Sequence, residues 1–134
     1  MKYTKEHLKE ILDAVKTIAL VGASSNENRD SFKVMKYLIN NGYDVIPVNP
    51  NETNNLILGK KCFPNLKSIN QKLDMVDIFR AKKFVNNITI DAIEKGVKVI
   101  WTQEGVIDIE SSIMAKNAGI IFVMDECPKK VLEN

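Results

Sequence analysis

The sequence predicts a three-layer α/β domain: a five-stranded parallel sheet of order 3-2-1-4-5 with helices on both faces. Three observations predict it. Short apolar runs alternate with stretches of helical period at a spacing of roughly 25 residues. The apolar runs are rich in β-branched residues and lack strict alternation, as in strands buried on both sides. The first of them, Thr17 to Val21, breaks at Gly22, crosses small polar residues and meets a helical pattern at Phe32, Val34-Met35 and Leu38-Ile39. Strands of this kind, joined through helices, require right-handed crossovers. The order 3-2-1-4-5 follows if the chain reverses after the third strand.

The elements follow in order. Leu8, Ile11, Leu12 and Val15 form one stripe, which makes residues 4–15 a helix with Thr4 as its cap. His7, the only histidine, flanks that stripe without a second ligand or acid nearby and reads as structural or solvated. Strand one is 17–22 and the next helix is about 30–41, ended by Asn40-Asn41-Gly42. Strand two is 43–48. Pro47 has no N–H, so this strand belongs at an edge or a strand tip. Residues 51–73 are the least regular part, with a tight turn around Ile57-Leu58-Gly59-Lys60 and Phe63-Pro64-Asn65-Leu66 as an anchor. Ile69 and Leu73 are placed beneath it. Strand three is 74–79, and a helix from Ala81 to Lys95 closes at Gly96. Strand four is 97–101, a helix runs from a cap at Asp108 to Asn117, and strand five is 120–124. The tail after Cys127-Pro128 is expected to fray. The chain thus reads as one domain over 1–134, an N-terminal helix (about 4–15) followed by a core (about 17–127).

Composition narrows the function. With 134 residues, 45% apolar and 27% charged, this is an ordinary globular composition with enough chain for a sizeable core. The net charge of +2 with scattered lysines gives no case for nucleic acid or an anionic membrane. No stretch has the ~20 apolar residues of a membrane span, and the N-terminus lacks a signal-like apolar core. A cytoplasmic location is expected, with Cys62 and Cys127 as free thiols.

A strand, a glycine turn and a helix N-terminus together make an anion site, because the first-turn N–H groups and the helix dipole face the turn. The turn after Gly22 lacks the glycines of a dinucleotide fingerprint and the Gly-Lys-Ser/Thr of a P-loop. It offers Ser24, Ser25, Arg29 and Ser31 as donors. The plainer alternative is that the serines cap the helix and the arginine faces water. If the fold is right, one rim of the sheet collects Gly22, Ala23, Ser24 and Arg29, then Asn49 and Pro50, Phe79 and Arg80, Gln103, Glu104 and Gly105, and Cys127. Two arginines, hydroxyls, amides and one aromatic suit a phosphorylated, ring-bearing ligand. The place where NAD sites usually carry an acid, the end of strand two, holds Asn49-Pro50, with Glu52 beyond.

An ordered series of segments resembles the small single-domain CoA-binding proteins, whose Rossmann-like fold also occurs in the CoA-binding domain of the succinyl-CoA synthetase alpha subunit. The segments are Val21-Gly22-Ala23-Ser24 with Arg29 and Ser31, Gly42 to Pro50, Leu58-Gly59-Lys60, Phe63 to Leu66, Asp74 to Arg80, Trp101 to Val106, and Met124 to Pro128. The resemblance implies coenzyme A or an acyl-CoA as ligand, with its phosphates on the turn at Gly22, Ala23, Ser24, Arg29 and Ser31. It also implies that Asn49, Pro50, Phe79 and Arg80 border the nucleotide, and that Gln103 and Gly105 stand near the entrance. Lys33, Thr102 and Glu104 depart from the residues usual in relatives.

No catalytic set is legible. Asp74 and Asp77 fall on opposite faces of their strand, and Asp77 reads as bonded to neighbouring backbone. No nucleophile–base pair can be assembled, and no metal set is expected. Cys127 is the one group with reactive potential, by exchange with a thiol cofactor, against the plainer view of a half-buried cysteine beside a proline turn. The leading expectation is a non-catalytic binding or regulatory domain, with a protein partner or homodimer left open. The alternatives are a small NAD-dependent oxidoreductase and a structural or interaction module that has lost its ligand.

Overall fold

Pro47 lies on the outermost strand of the main sheet, where a missing N–H costs no ladder bond. The structure, a computed structural model, describes residues 3–133. In chain order the elements are α1 (Lys5–Asp13), β1 (Thr17–Val21), α2 (Asp30–Asn40), β2 (Asp44–Val48), β3 (Leu56–Ile57), β4 (Lys60–Lys61), β5 (Met75–Ile78), α3 (Lys82–Lys95), β6 (Val99–Thr102), α4 (Ile109–Asn117), β7 (Ile121–Val123) and α5 (Pro128–Leu132). Short 3₁₀ turns occupy Pro50–Glu52 and Leu66–Ser68.

The α/β class and the five-stranded parallel sheet are as expected. The strand order differs in one respect: it is β2-β1-β5-β6-β7, or 2-1-3-4-5 counting the five core strands, in place of 3-2-1-4-5. The chain reverses after the second strand. The reason lies on the outer side of β2, which is already occupied. Phe63 donates its N–H to the Pro47 carbonyl at 3.0 Å and accepts from the Asn49 N–H at 2.9 Å. The third core strand therefore pairs on the free side of β1, with Ala19 opposite Val76. The segment between crosses under the sheet with Leu66, Ile69 and Leu73 buried.

Two cores result, one on each face, sorted by the alternation of side chains along each strand. Ile18, Leu20, Met75, Trp101 and Val123 meet Leu8 and Leu12 of α1, Val34, Met35 and Leu38 of α2, and Val131 of α5. Ala19, Val21, Val76, Ile78 and Ile100 meet Val85 and Ala92 of α3 and Ala115 of α4. Thr4 caps α1, its Oγ1 accepting the His7 N–H at 3.1 Å, and His7 is exposed. The expected turn in the irregular region is a two-residue hairpin between β3 and β4, with positive φ at both Leu58 and Gly59. The tail does not fray after Pro128. It forms α5, with proline suited to the first turn and Val131 buried against α1 and α2.

Candidate functional site

Gly22 sets the geometry of the site. Its N–H and that of Ala23 both donate to the Val48 carbonyl, at 2.9 and 3.3 Å, so the chain leaves β1 folded over the end of β2. This needs a φ of +91°, and it brings the glycine against the backbone of Phe79. The side chain of Asn49 holds the turn from the other side. Its Nδ2 donates to the Ala23 carbonyl at 2.8 Å, while its Oδ1 accepts the Asn51 N–H at 2.9 Å. Ser24 Oγ accepts the Asn26 N–H, and Asn26 Oδ1 accepts the Asn28 N–H. The Ser24 hydroxyl is thus engaged within the loop as an acceptor. The N-cap position of α2 is Arg29, which makes no side-chain cap bond. In the first turn of α2 the N–H groups of Phe32 and Lys33 donate to the Arg29 carbonyl at 3.1 and 3.2 Å, which leaves those of Asp30 and Ser31 for the cleft.

The cleft has a volume of about 660 Å³. It opens at the carboxyl ends of β1, β2, β5 and β6, at the point where the strand order reverses. Of the expected residues, Gly22, Ala23, Ser24, Arg29, Ser31, Asn49, Phe79, Arg80 and Gln103 line it together. Pro50 and Gly105 do not. Pro50 starts the 3₁₀ turn that swings Asn51 and Glu52 into the wall. Gly105 donates its N–H to Asp125 Oδ1 at 2.6 Å, tying the β6 loop to the segment after β7.

Arg80 stacks its guanidinium 3.9 Å over the Phe84 ring. Neither it nor Arg29 forms an ion pair among the described residues. Both cations are therefore available to an anion. Sequence reasoning missed Asn28, Asp30, Asn51 and Glu52 as wall residues. Asp30 was legible as the start of α2. Glu52 was visible just past strand two, but its return to the turn was not. Its Oε2 accepts the Ser25 N–H at 2.9 Å.

On the other side of Asp30, Phe79 and Gln103, which line both, lies a second cavity of about 260 Å³ that Cys127 also lines. The chamber wall is fastened to the sheet. Trp101 Nε1 donates to the Glu126 carbonyl at 3.0 Å, and buried Thr102 donates its hydroxyl to the Val106 carbonyl at 2.7 Å. That bond accounts for a polar residue at position 102. Burial raises the Cys127 thiol above its ordinary value; the N–H groups of Lys130 and Lys129 pull it down, and the charges of Asp77 and Glu104 push it up again. Cys62 and Cys127 are both free thiols, the former fully buried.

Asp77 departs from its expected role. It is wholly buried between β1 and β6, and neither carboxyl oxygen has a hydrogen-bond partner. Desolvation raises its pKa to about 8. The backbone groups around a central strand are already paired within the ladder, so none is left for its side chain. Asp74, at the strand's start, behaves oppositely. Burial opposes its ionisation, but the N–H groups of Lys16 and Thr17, at 2.9 and 3.2 Å, and the charges of Lys98 and Lys72 hold it below the usual value. Among the described residues no three His, Cys, Asp or Glu side chains cluster to hold a metal, and no helix is long and apolar enough to cross a membrane.

A ligand-sized cleft at the reversal point of a parallel sheet places the chain in the class of doubly wound α/β domains. Within that class it belongs to the CoA-binding domain family, whose model matches residues 16–133. It is 36% identical over 126 residues to the uncharacterized protein YneT of Bacillus subtilis, covering 94% of this chain and 92% of that one. A solved structure of a hypothetical protein from Pyrococcus horikoshii OT3 superposes with a TM-score of 0.91 at 43% identity, over 98% of this chain and 91% of the other. The ADP-forming acetate–CoA ligase II of Archaeoglobus fulgidus is 33% identical over 85 residues. That match covers 62% of this chain but only 12% of the ligase.

Proposed function

We propose that the chain binds coenzyme A or an acyl-CoA in the cleft at Gly22 and acts as a non-catalytic binding or regulatory domain. One observation carries this reading: α2 opens into the cleft without a side-chain cap, and Arg29 and Arg80 stand beside it without a carboxylate partner. N–H groups, a helix dipole and two guanidinium groups converge there on a space fit for a diphosphate. Membership of the CoA-binding domain family supports a CoA-related ligand. Pro50 and Gly105 act through the loops they shape and not by contact. The acid nearest the end of β2 is Glu52, already engaged by the Ser25 N–H, which disfavours the ribose clamp of a NAD site.

Calorimetric titration with CoA, acetyl-CoA and NAD tests the proposal. CoA or its acyl form should bind, and NAD should bind much more weakly. NAD affinity equal to or above that of CoA would overturn the assignment.

The phosphate clamp has its own test. A charge-assisted hydrogen bond is worth roughly 1.5–3 kcal/mol, so Arg29→Ala should weaken CoA binding by about tenfold to a hundredfold with the fold intact. Arg29→Lys should recover only part of the loss, because an ammonium lacks the planar donor pair. Arg80→Ala serves as comparison at the same salt concentration. If only Arg80→Ala lost affinity, the phosphates would belong at Arg80 alone.

A further inference from the structure

The outer faces of α4 and β7 are apolar where water should meet them. Among the described residues seven large hydrophobic side chains are exposed, and Ile107, Ile109, Ile113 and Ile121 are four of them. All four line one groove of about 930 Å³ at an edge of the main sheet. α4 turns small residues inward, buried Ser111 and Ala115, and larger ones outward, Ile109 and Ile113 at 57 and 54% exposure. A surface helix has the reverse arrangement, so this one is built for cover on both sides. The two edges of the sheet differ in the same sense. β2 carries Pro47 and is closed by Phe63. β7, Ile121-Phe122-Val123, has no proline, no charge and, among the described residues, no strand on its outer side. Ile121 gives its N–H to the Lys98 carbonyl on the inner side at 3.1 Å, so the N–H and carbonyl of Phe122 face outward.

The charges at the two ends of the groove say what fits it. α4 runs antiparallel to β7: the Ile120 N–H meets the Ala115 carbonyl at 2.9 Å at one end, and the Asp108 N–H meets Met124 Sδ at 3.4 Å at the other. Lys116 therefore stands at the start of β7, while Asp125 and Glu126 follow its end, and all three line the groove. Lys116 forms no ion pair among the described residues. A surface that is cationic at one end, apolar along its length and anionic at the other complements a copy of itself turned end for end. We propose that two copies of this chain associate through this groove about a two-fold axis at Phe122, with β7 antiparallel to β7 and Lys116 of each copy against Asp125 and Glu126 of the other. The two Phe122 residues exchange both backbone bonds. The two five-stranded sheets become one, and the four isoleucines of each copy leave water. The contact lies on α4 and β7, and the ligand reading plays no part in it.

Sedimentation velocity of the full chain from about 1 to 100 µM reads the oligomeric state. The parent should shift from monomer toward dimer across this range. Ile113→Lys, at an exposed position, should weaken association at least about tenfold and leave the far-ultraviolet circular dichroism spectrum unchanged. Lys116→Glu and Glu126→Lys should each do the same, because each sets like charges against one another at both ends of the contact. Mixed in equal amounts, these two charge variants should associate again, since both pairings in the mixed dimer are then of opposite sign. Variants that had merely lost their fold would show no such recovery. A parent that stays monomeric at about 100 µM would overturn the inference and leave the groove to a different partner. Charge variants that dimerise like the parent would overturn it by placing the contact elsewhere on the molecule, and so would a mixture that stays monomeric.

Discussion

Gly22→Ala is expected to cost about 2–4 kcal/mol of stability and to abolish CoA binding in the fraction that stays folded. A Cβ here would lie 2.2 Å from the Phe79 carbonyl oxygen and 2.9 Å from its carbonyl carbon. Both obstacles are backbone, and the Phe79 N–H is held by the Val21 carbonyl at 2.7 Å. They cannot swing aside as the end of a flexible side chain would. The positive φ adds strain of its own. Relief requires β1 and β5 to part at their carboxyl ends, which shifts the start of α2 relative to Arg80. Gly42→Ala is the matched control, since Gly42 has the same φ of +91° but meets nothing within 4 Å. It should lose only about 1 kcal/mol, the conformational part. Urea unfolding of both variants decides the matter: equal losses would mean that the approach of Phe79 is not what demands glycine at position 22.

Asp77→Asn is expected to raise stability at neutral pH and to flatten its pH dependence. The folded-state pKa of about 8 stands well above the ordinary 3.8. Below about pH 4 the carboxyl is protonated in both folded and unfolded chains, and its contribution is fully present. Between about pH 4 and pH 8 the unfolded chain releases a proton that the folded chain keeps, so stability falls with rising pH by up to ~1.4 kcal/mol per unit. Above about pH 8 the folded form has ionised as well, and the loss is complete. Asparagine keeps the shape and removes the proton. The two proteins should match near pH 4 and differ by on the order of 4 kcal/mol at pH 7. Denaturant midpoints across this range measure the gap. Parallel profiles would show that Asp77 ionises in the folded protein as it does in water.

The fold class was legible because it rests on local pattern. Unalternating apolar runs, helical stripes and glycine punctuation are properties of neighbouring residues, and they located every core strand and the helices from α1 to α4. Pro47 was readable as an edge residue for the same reason, since the missing N–H belongs to the residue itself. Most of the candidate site was legible too. In a parallel sheet the residues after each strand share one rim, so Gly22, Asn49, Phe79 and Gln103 come together once the strands are known. The roles within the rim were less legible. Asn49 is committed to bracing the Gly22 turn and Ser24 Oγ accepts the Asn26 N–H, while Arg29 and Arg80 form no ion pair among the described residues and no side chain caps α2.

By itself, then, the sequence determined the class of fold, the glycine turn and the rim where a ligand would lie. Tertiary structure decided the strand order, because Phe63 closes the outer edge of β2 through bonds to Pro47 and Asn49, residues far from it along the chain. It decided that the tail forms α5, because Val131 finds an apolar surface on α1 and α2. It brought Glu52 back to Ser25 through a 3₁₀ turn, and it isolated Asp77 by placing its strand between two others whose ladders consume the backbone groups around it. Each of these depends on which distant groups meet and which polar atoms are already paired, and neither is written in the period of a local segment.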